Sequence, residues 1–166
     1  MPLIKLFLDI CFFRKGPQDT PASNLLLGLA ISAYLIVGFV LLGLEGDWAG
    51  AVVEAIAEGA MVFGFLFVVL YLGKKLPRLR QTATALYGCD ALISATAIPL
   101  LALLLMAPEA KPVYIFLTFL LLWHLAVVGH ILRHALAIPF FYGVALAFGY
   151  VVISYQVMMA LFDRAT

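Results

Sequence analysis

PASNLLLGLAISAYLIVGFVLLGL, residues 21–44, decides the fold. The run carries no charged side chain and is apolar on every face. It has neither the stripe of a soluble amphipathic helix nor the alternation of a half-buried strand. At 1.5 Å per residue, about 20 apolar residues cross the hydrocarbon core of a bilayer, and this run is longer. Four further runs of the same kind occupy residues 49–73, 83–106, 112–134 and 138–162. Their punctuation is that of helices. Thr20-Pro21 offers an N-cap followed by proline at the first helical position, and Glu45-Gly46-Asp47 makes a turn. Pro108 and Pro112 bracket the outer connection, while Pro99 and Pro139 kink or delimit helices, Pro139 in a first turn where it costs little. A β-barrel would instead alternate over about 10 residues per strand. The expected fold class is therefore an all-α integral membrane protein with five transmembrane helices in one domain, residues 20–166.

Composition agrees. Of 166 residues, 66% are hydrophobic and 11% charged, with a mean hydropathy of +1.14. A soluble domain holds about 45–50% apolar and about 25% charged residues, and disorder needs the opposite bias. A net charge of +1 leaves no basic surplus for nucleic acid. Cys11 and Cys89 form no CxxC pair, so neither a disulfide framework nor a zinc knuckle is expected.

Residues 1–19 precede the first span. Asp9 interrupts their apolar run and no small-residue cleavage site follows, unlike a signal peptide. Lys5 and Asp9, four apart, draw a narrow polar stripe, which predicts an interfacial amphipathic helix with Phe7, Phe12 and Phe13 buried. A short helix packed under the bundle is the alternative. Lys5, Arg14, Lys15, Lys74, Lys75, Arg78, Arg80 and Arg133 fall on one side of the five spans, and only Lys111 and Arg164 on the other. By the positive-inside rule the N-terminus is expected in the cytoplasm and the C-terminus in the periplasm. Short loops and a brief leading tail point to a bacterial inner membrane. The basic loop Lys74, Lys75, Arg78 and Arg80 is expected to meet lipid headgroups.

Ionisable groups inside a span are functional candidates, because leaving them there is costly. They are Glu54, Glu58, Asp90, His124, His130 and Arg133. Glu54 and Glu58 share a helix face near the outer boundary, where they suit a proton or cation site; alternatively Glu58 bonds Tyr155 or Gln156. His124 suits a packed, hydrogen-bonded histidine. His130 and His134 have the i,i+4 spacing of a metal pair but lack the HExxH glutamate, and with Asp90 would be needed to make three ligands. No metal and no cofactor is expected. Taking the third span to start near Thr84, Asp90 lies about 9 Å deep and His130 about 6 Å deep. Asp90 is therefore expected to pair with His130, or with Arg133. Small residues supply packing seams: Gly28 and Ser32 on the first span, Gly143 with Ala147 and Ala145 with Gly149 on the last, for contacts within one protomer or with a second copy.

The stretch Gly73-Lys74-Lys75 … Arg80-Gln81-Thr82 ahead of an apolar helix resembles a pattern of the Yip1 family. So does Trp123 … Gly129 … His134-Ala135-Leu136 leading into the last helix. The resemblance covers residues 20–162 and includes five helices with a cytoplasmic N-terminus. It implies a non-enzymatic protein of membrane organisation, trafficking or complex assembly, and it transfers no catalytic residue. No GxSxG or P-loop occurs either. Two functions are carried forward. One is a membrane scaffold or accessory subunit whose partners are the lipid bilayer and another membrane protein or itself, not nucleic acid. The other is a small proton- or ion-coupled transporter using Glu58, His124 and Asp90. An odd number of helices offers no clean inverted repeat for the second. A polar cavity linking those three residues would favour it.

Overall fold

A computed structural model describes residues 3–44, 46 and 48–162, with no strand among them. Glu45 and Asp47, which entered the first turn, and Arg164, which entered the charge count, lie outside the described residues. The helices are α1 Leu3–Cys11, α2 Asn24–Gly43, α3 Trp48–Leu72, α4 Leu79–Met106, α5 Lys111–Leu136 and α6 Phe140–Phe162. Short 3₁₀ turns at Pro17–Asp19 and Leu76–Arg78 precede α2 and α4. α2 to α6 are each long and apolar enough to cross a membrane.

Local chemistry sets the helix ends. α2 starts three residues later than Thr20-Pro21 implies, because Ser23 is the cap: its hydroxyl oxygen accepts the Leu26 N–H at 3.4 Å. Thr20 ties the leading segment to α4 instead. Its hydroxyl sits 2.6 Å from the Pro17 carbonyl and 3.1 Å from that of Gln81, and the Gln81 amide donates back to the Thr20 carbonyl at 2.9 Å. α5 ends where Ala137 turns left-handed (φ 60°), its N–H returning to the Arg133 carbonyl. Pro139 stands just before α6, and its carbonyl accepts the Gly143 N–H at 3.3 Å.

α4 is the axis of the core. Residues 82–91 are buried without interruption, and on α5 residues 127–132 are buried as well. Both stretches lie toward the end of the bundle that carries Arg78, Arg80 and Arg133, called the basic end below. Buried Thr82 and Thr84 each donate to the carbonyl four residues earlier, at 2.9 and 2.8 Å, so neither hydroxyl is stranded in the core. Tyr87 donates from its hydroxyl to the Gly59 carbonyl at 2.7 Å and clamps α4 to α3.

α1 packs on the bundle through Leu6, Phe7, Ile10 and Cys11. Gly88 makes room for the Phe7 ring: a Cβ on Gly88 would lie 2.4 Å from a ring carbon. The Trp123 indole N–H donates to the Cys11 carbonyl at 3.1 Å. Phe7 is buried against the bundle, whereas Phe12 and Phe13 are 55% and 44% exposed on its outside. They continue the exposed apolar residues Leu3, Ile4 and Leu8, which flank the Lys5/Asp9 stripe on the side away from the bundle.

The small-residue seams divide. Gly143 and Ala147 face α5, where a Cβ on Gly143 would stand 2.3 Å from the Gly129 carbonyl oxygen. Gly28 and Ser32 form no seam within the protomer: both are exposed, and nothing lies within 4 Å of a Cβ placed on Gly28. α2 instead turns Leu26 and Ala30 inward. Ala145 is likewise exposed and Gly149 meets open space, because the α5 contact uses only the other ridge of α6.

Candidate functional site

Helix α4 begins at Leu79, so Asp90 lies eleven residues in, about 16 Å from the basic end. On α5, His124 precedes Leu136 by twelve residues, about 18 Å from the same end. The two depths coincide, and the side chains meet. His124 Nε2 stands 2.6 Å from Asp90 Oδ1. The contact is an ion-pair distance between two side chains that retain 28% and 10% exposure.

This overturns the expected pairing of Asp90 with His130 or Arg133. That expectation started the helix at the first apolar residue. The basic residues before it are already helical, and the added turn carries Asp90 past His130 to His124. His130 is engaged elsewhere: its Nε2 is 2.8 Å from the Lys15 carbonyl, which can only accept, so the proton sits on Nε2. Its ring meets His134 edge-on at 4.6 Å and Phe13 at 5.1 Å. With Asp90 one and a half turns deeper than His130, the three-ligand combination is not assembled, and no group of three or more His, Cys, Asp or Glu gathers among the described residues.

A cleft of about 300 Å³ opens beside the Asp90–His124 pair. Every long helix contributes a polar wall residue: Tyr34 from α2, Glu58 from α3, Ser94 from α4 beside Asp90, His124 from α5, and Tyr150 and Ser154 from α6. Depths again agree. Tyr34 and Tyr150 each lie ten residues, about 15 Å, from the basic end of their helices, at the floor with Asp90. Ser154, Tyr155 and Met158 carry the lining along α6 to within four residues of its far end. Toward the basic end the cleft shrinks to a gap of about 20 Å³ among Phe65, Leu86, Val128 and Ala147. The cleft thus takes polar groups from all five long helices, with an acid–imidazole pair at its floor and Phe65, Leu86, Val128 and Ala147 beyond it on the basic side.

Glu58 shares this cleft with Tyr155, whereas Gln156 is exposed and does not line it. Glu54, one turn nearer the far end, is half-buried and outside the lining. Tyr34, Ser94, Tyr150 and Ser154 are the site residues that sequence reasoning missed. A signal existed: Asp90/Ser94 and Tyr150/Ser154 are both i,i+4 pairs, each putting two polar groups on one face of a lipid-length helix.

The loop expected at headgroups is partly structural. Arg78 Nη1 donates to the carbonyls of His134 and Ala135 at 3.0 and 3.1 Å, covering the C-terminal end of α5, and Arg80 Nη1 donates to Asn24 Oδ1 at 3.2 Å. Lys74 is exposed and Lys75 half-buried. Fold and site together define a multi-pass helical bundle with a mid-depth polar cleft. No protein-family model, no curated protein and no solved structure matches the chain.

Proposed function

We propose that the protein is a small proton-coupled carrier, with Asp90 and His124 exchanging the coupling proton and Glu58 as the second acidic group of the same cleft. The observation that carries this reading is the convergence of five helices on one polar cleft whose floor is an ionisable pair. Such a pair at mid-depth is costly in a bilayer and is retained where it handles a charge or a proton. Imidazole changes charge near neutral pH and can pass a proton to a carboxylate it touches. The apolar layer of Phe65, Leu86, Val128 and Ala147 keeps the cleft one-sided, and transport requires that layer to part. The gathering of Lys and Arg at the basic end supports a cytoplasmic N-terminus in a bacterial inner membrane, so the cleft faces the periplasm.

The test is dissipation of an imposed pH gradient by purified protein in sealed vesicles. Flux above empty vesicles, lost in both Asp90→Asn and His124→Gln, is expected. Flux equal to empty vesicles across a panel of small polar solutes, or flux indifferent to both substitutions, overturns the proposal. The second reading, a scaffold or accessory subunit of Yip1-like type, is favoured by one observation. The stripes Gly28/Ser32 and Ala145/Gly149 face outward, where they suit close contact with another transmembrane helix. Co-purification of a stoichiometric membrane partner from native membranes in mild detergent would support it.

A further inference from the structure

We infer that a groove at the basic end, between the segment after α1 and the end of α5, binds the phosphate group of an anionic lipid. The groove measures about 560 Å³ and is separate from the polar cleft, sharing no lining residue with it. Its cations come from two chain segments: Arg14 and Lys15 from the turn after α1, Arg133 from the last turns of α5. His130 and His134 add imidazole edges to the same wall. The acidic residue of the lining, Asp19, is turned to its own backbone, where its carboxylate accepts the Gly16 N–H at 2.9 Å. Asp9, near Lys15 at 4.0 Å, lies outside the lining.

A helix C-terminus ordinarily repels anions, because its last carbonyls are unpaired. Here three of them are engaged. Arg78 takes the carbonyls of His134 and Ala135, while the N–H groups of Ala137 and Ile138 take that of Arg133. The end of α5 thus lines the groove with Arg133 and His134 while three of its last carbonyls are engaged elsewhere. Two guanidinium groups beside an open pocket suit the tetrahedral oxygens of a phosphate better than a lone lysine.

Two features favour a lipid over a soluble phosphate. Phe13 and Phe140 line the groove and are 44% and 40% exposed, offering an apolar lip to an acyl chain. The groove also runs from the end of α5 to His130, six residues in, so it follows the helix into the depth where lipid chains begin. Headgroup and chain meet matching surfaces in the right order.

The experiment is thermal unfolding of the detergent-purified protein titrated with phosphatidylglycerol, phosphatidylcholine or inorganic phosphate. Phosphatidylglycerol should raise Tm in a saturable manner and phosphatidylcholine should not. Arg14→Gln and Arg133→Gln should each weaken the apparent affinity about fivefold, and together about thirtyfold. Lys111→Gln, at the opposite end of α5 and outside the groove, should leave it unchanged. Should either groove variant unfold early, native mass spectrometry of lipid retained by the folded fraction gives the same comparison. An equal lipid response in wild type and the double variant overturns the site. An equal Tm rise from inorganic phosphate alone assigns the groove to a soluble anion and overturns the lipid source.

Discussion

Replacing Asp90 with Asn removes one partner of the pair at the cleft floor while keeping the side chain's size. Breaking a fully buried ion pair costs about 3–5 kcal/mol, chiefly because the surviving partner is left without compensation. His124 keeps 28% side-chain exposure and borders the cleft, so water can solvate the orphaned ring and the penalty falls to about 2 kcal/mol. For a chain of this size that corresponds to a loss of about 4–8 °C in Tm. The assay is a double-mutant cycle of Asp90→Asn and His124→Gln in detergent, read by thermal unfolding at neutral pH. The pair should show a coupling of about 1.5–2 kcal/mol, since the second substitution removes a partner already lost. The control cycle with His130→Gln should be additive within about 0.5 kcal/mol, because His130 is held by the Lys15 carbonyl. Additivity with His124, or coupling to His130, would refute the assignment of the pair.

Four other outcomes follow from the packing. Gly143→Ala puts a methyl 2.3 Å from the Gly129 carbonyl oxygen and should destabilise by about 2–3 kcal/mol as α5 and α6 separate, whereas Gly28→Ala should be neutral or up to about 1 kcal/mol stabilising in the same unfolding assay. Ala137→Gly relieves a left-handed residue at φ 60°, and the gain, reduced by glycine's greater unfolded freedom, should be about 0.5 kcal/mol. Trp123→Phe deletes the indole bond to the Cys11 carbonyl and should cost about 1 kcal/mol, seen as faster hydrogen exchange confined to α1.

The five spans were legible because lipid-facing helices cannot hide their composition; all five runs became helices. Their ends were less so. Hydropathy marks where side chains meet lipid, while a helix ends where its backbone hydrogen bonds stop. Arg80, Gln81 and Thr82 satisfy the second condition and not the first, so α4 starts four residues early relative to its apolar run. Against the expected start near Thr84, five residues add about 7.5 Å to the depth of Asp90, enough to exchange His130 for His124 as its neighbour. Glu58, Asp90 and His124 could be singled out individually because charge inside a span is rare. Their convergence could not, since it depends on the azimuth of each helix, and a helix apolar on all faces gives no moment to set that angle. Gly28 shows the same gap: its size was readable, the direction it faces was not.

The anchoring of α1 has a consequence for biogenesis. The Trp123 bond to Cys11 joins residues 112 positions apart in the chain. At about 5–20 residues per second, roughly 6–22 s of synthesis separate the two. During that interval α1 has emerged while the α5 half of its seat has not, so that side of its packing face is without protein cover. Membrane surface, or a targeting factor, is the natural interim host for such a segment. A pulse-chase in which cross-linking between residues 7 and 88 appears only after α5 has been translated would make the docking of α1 a closing step of assembly.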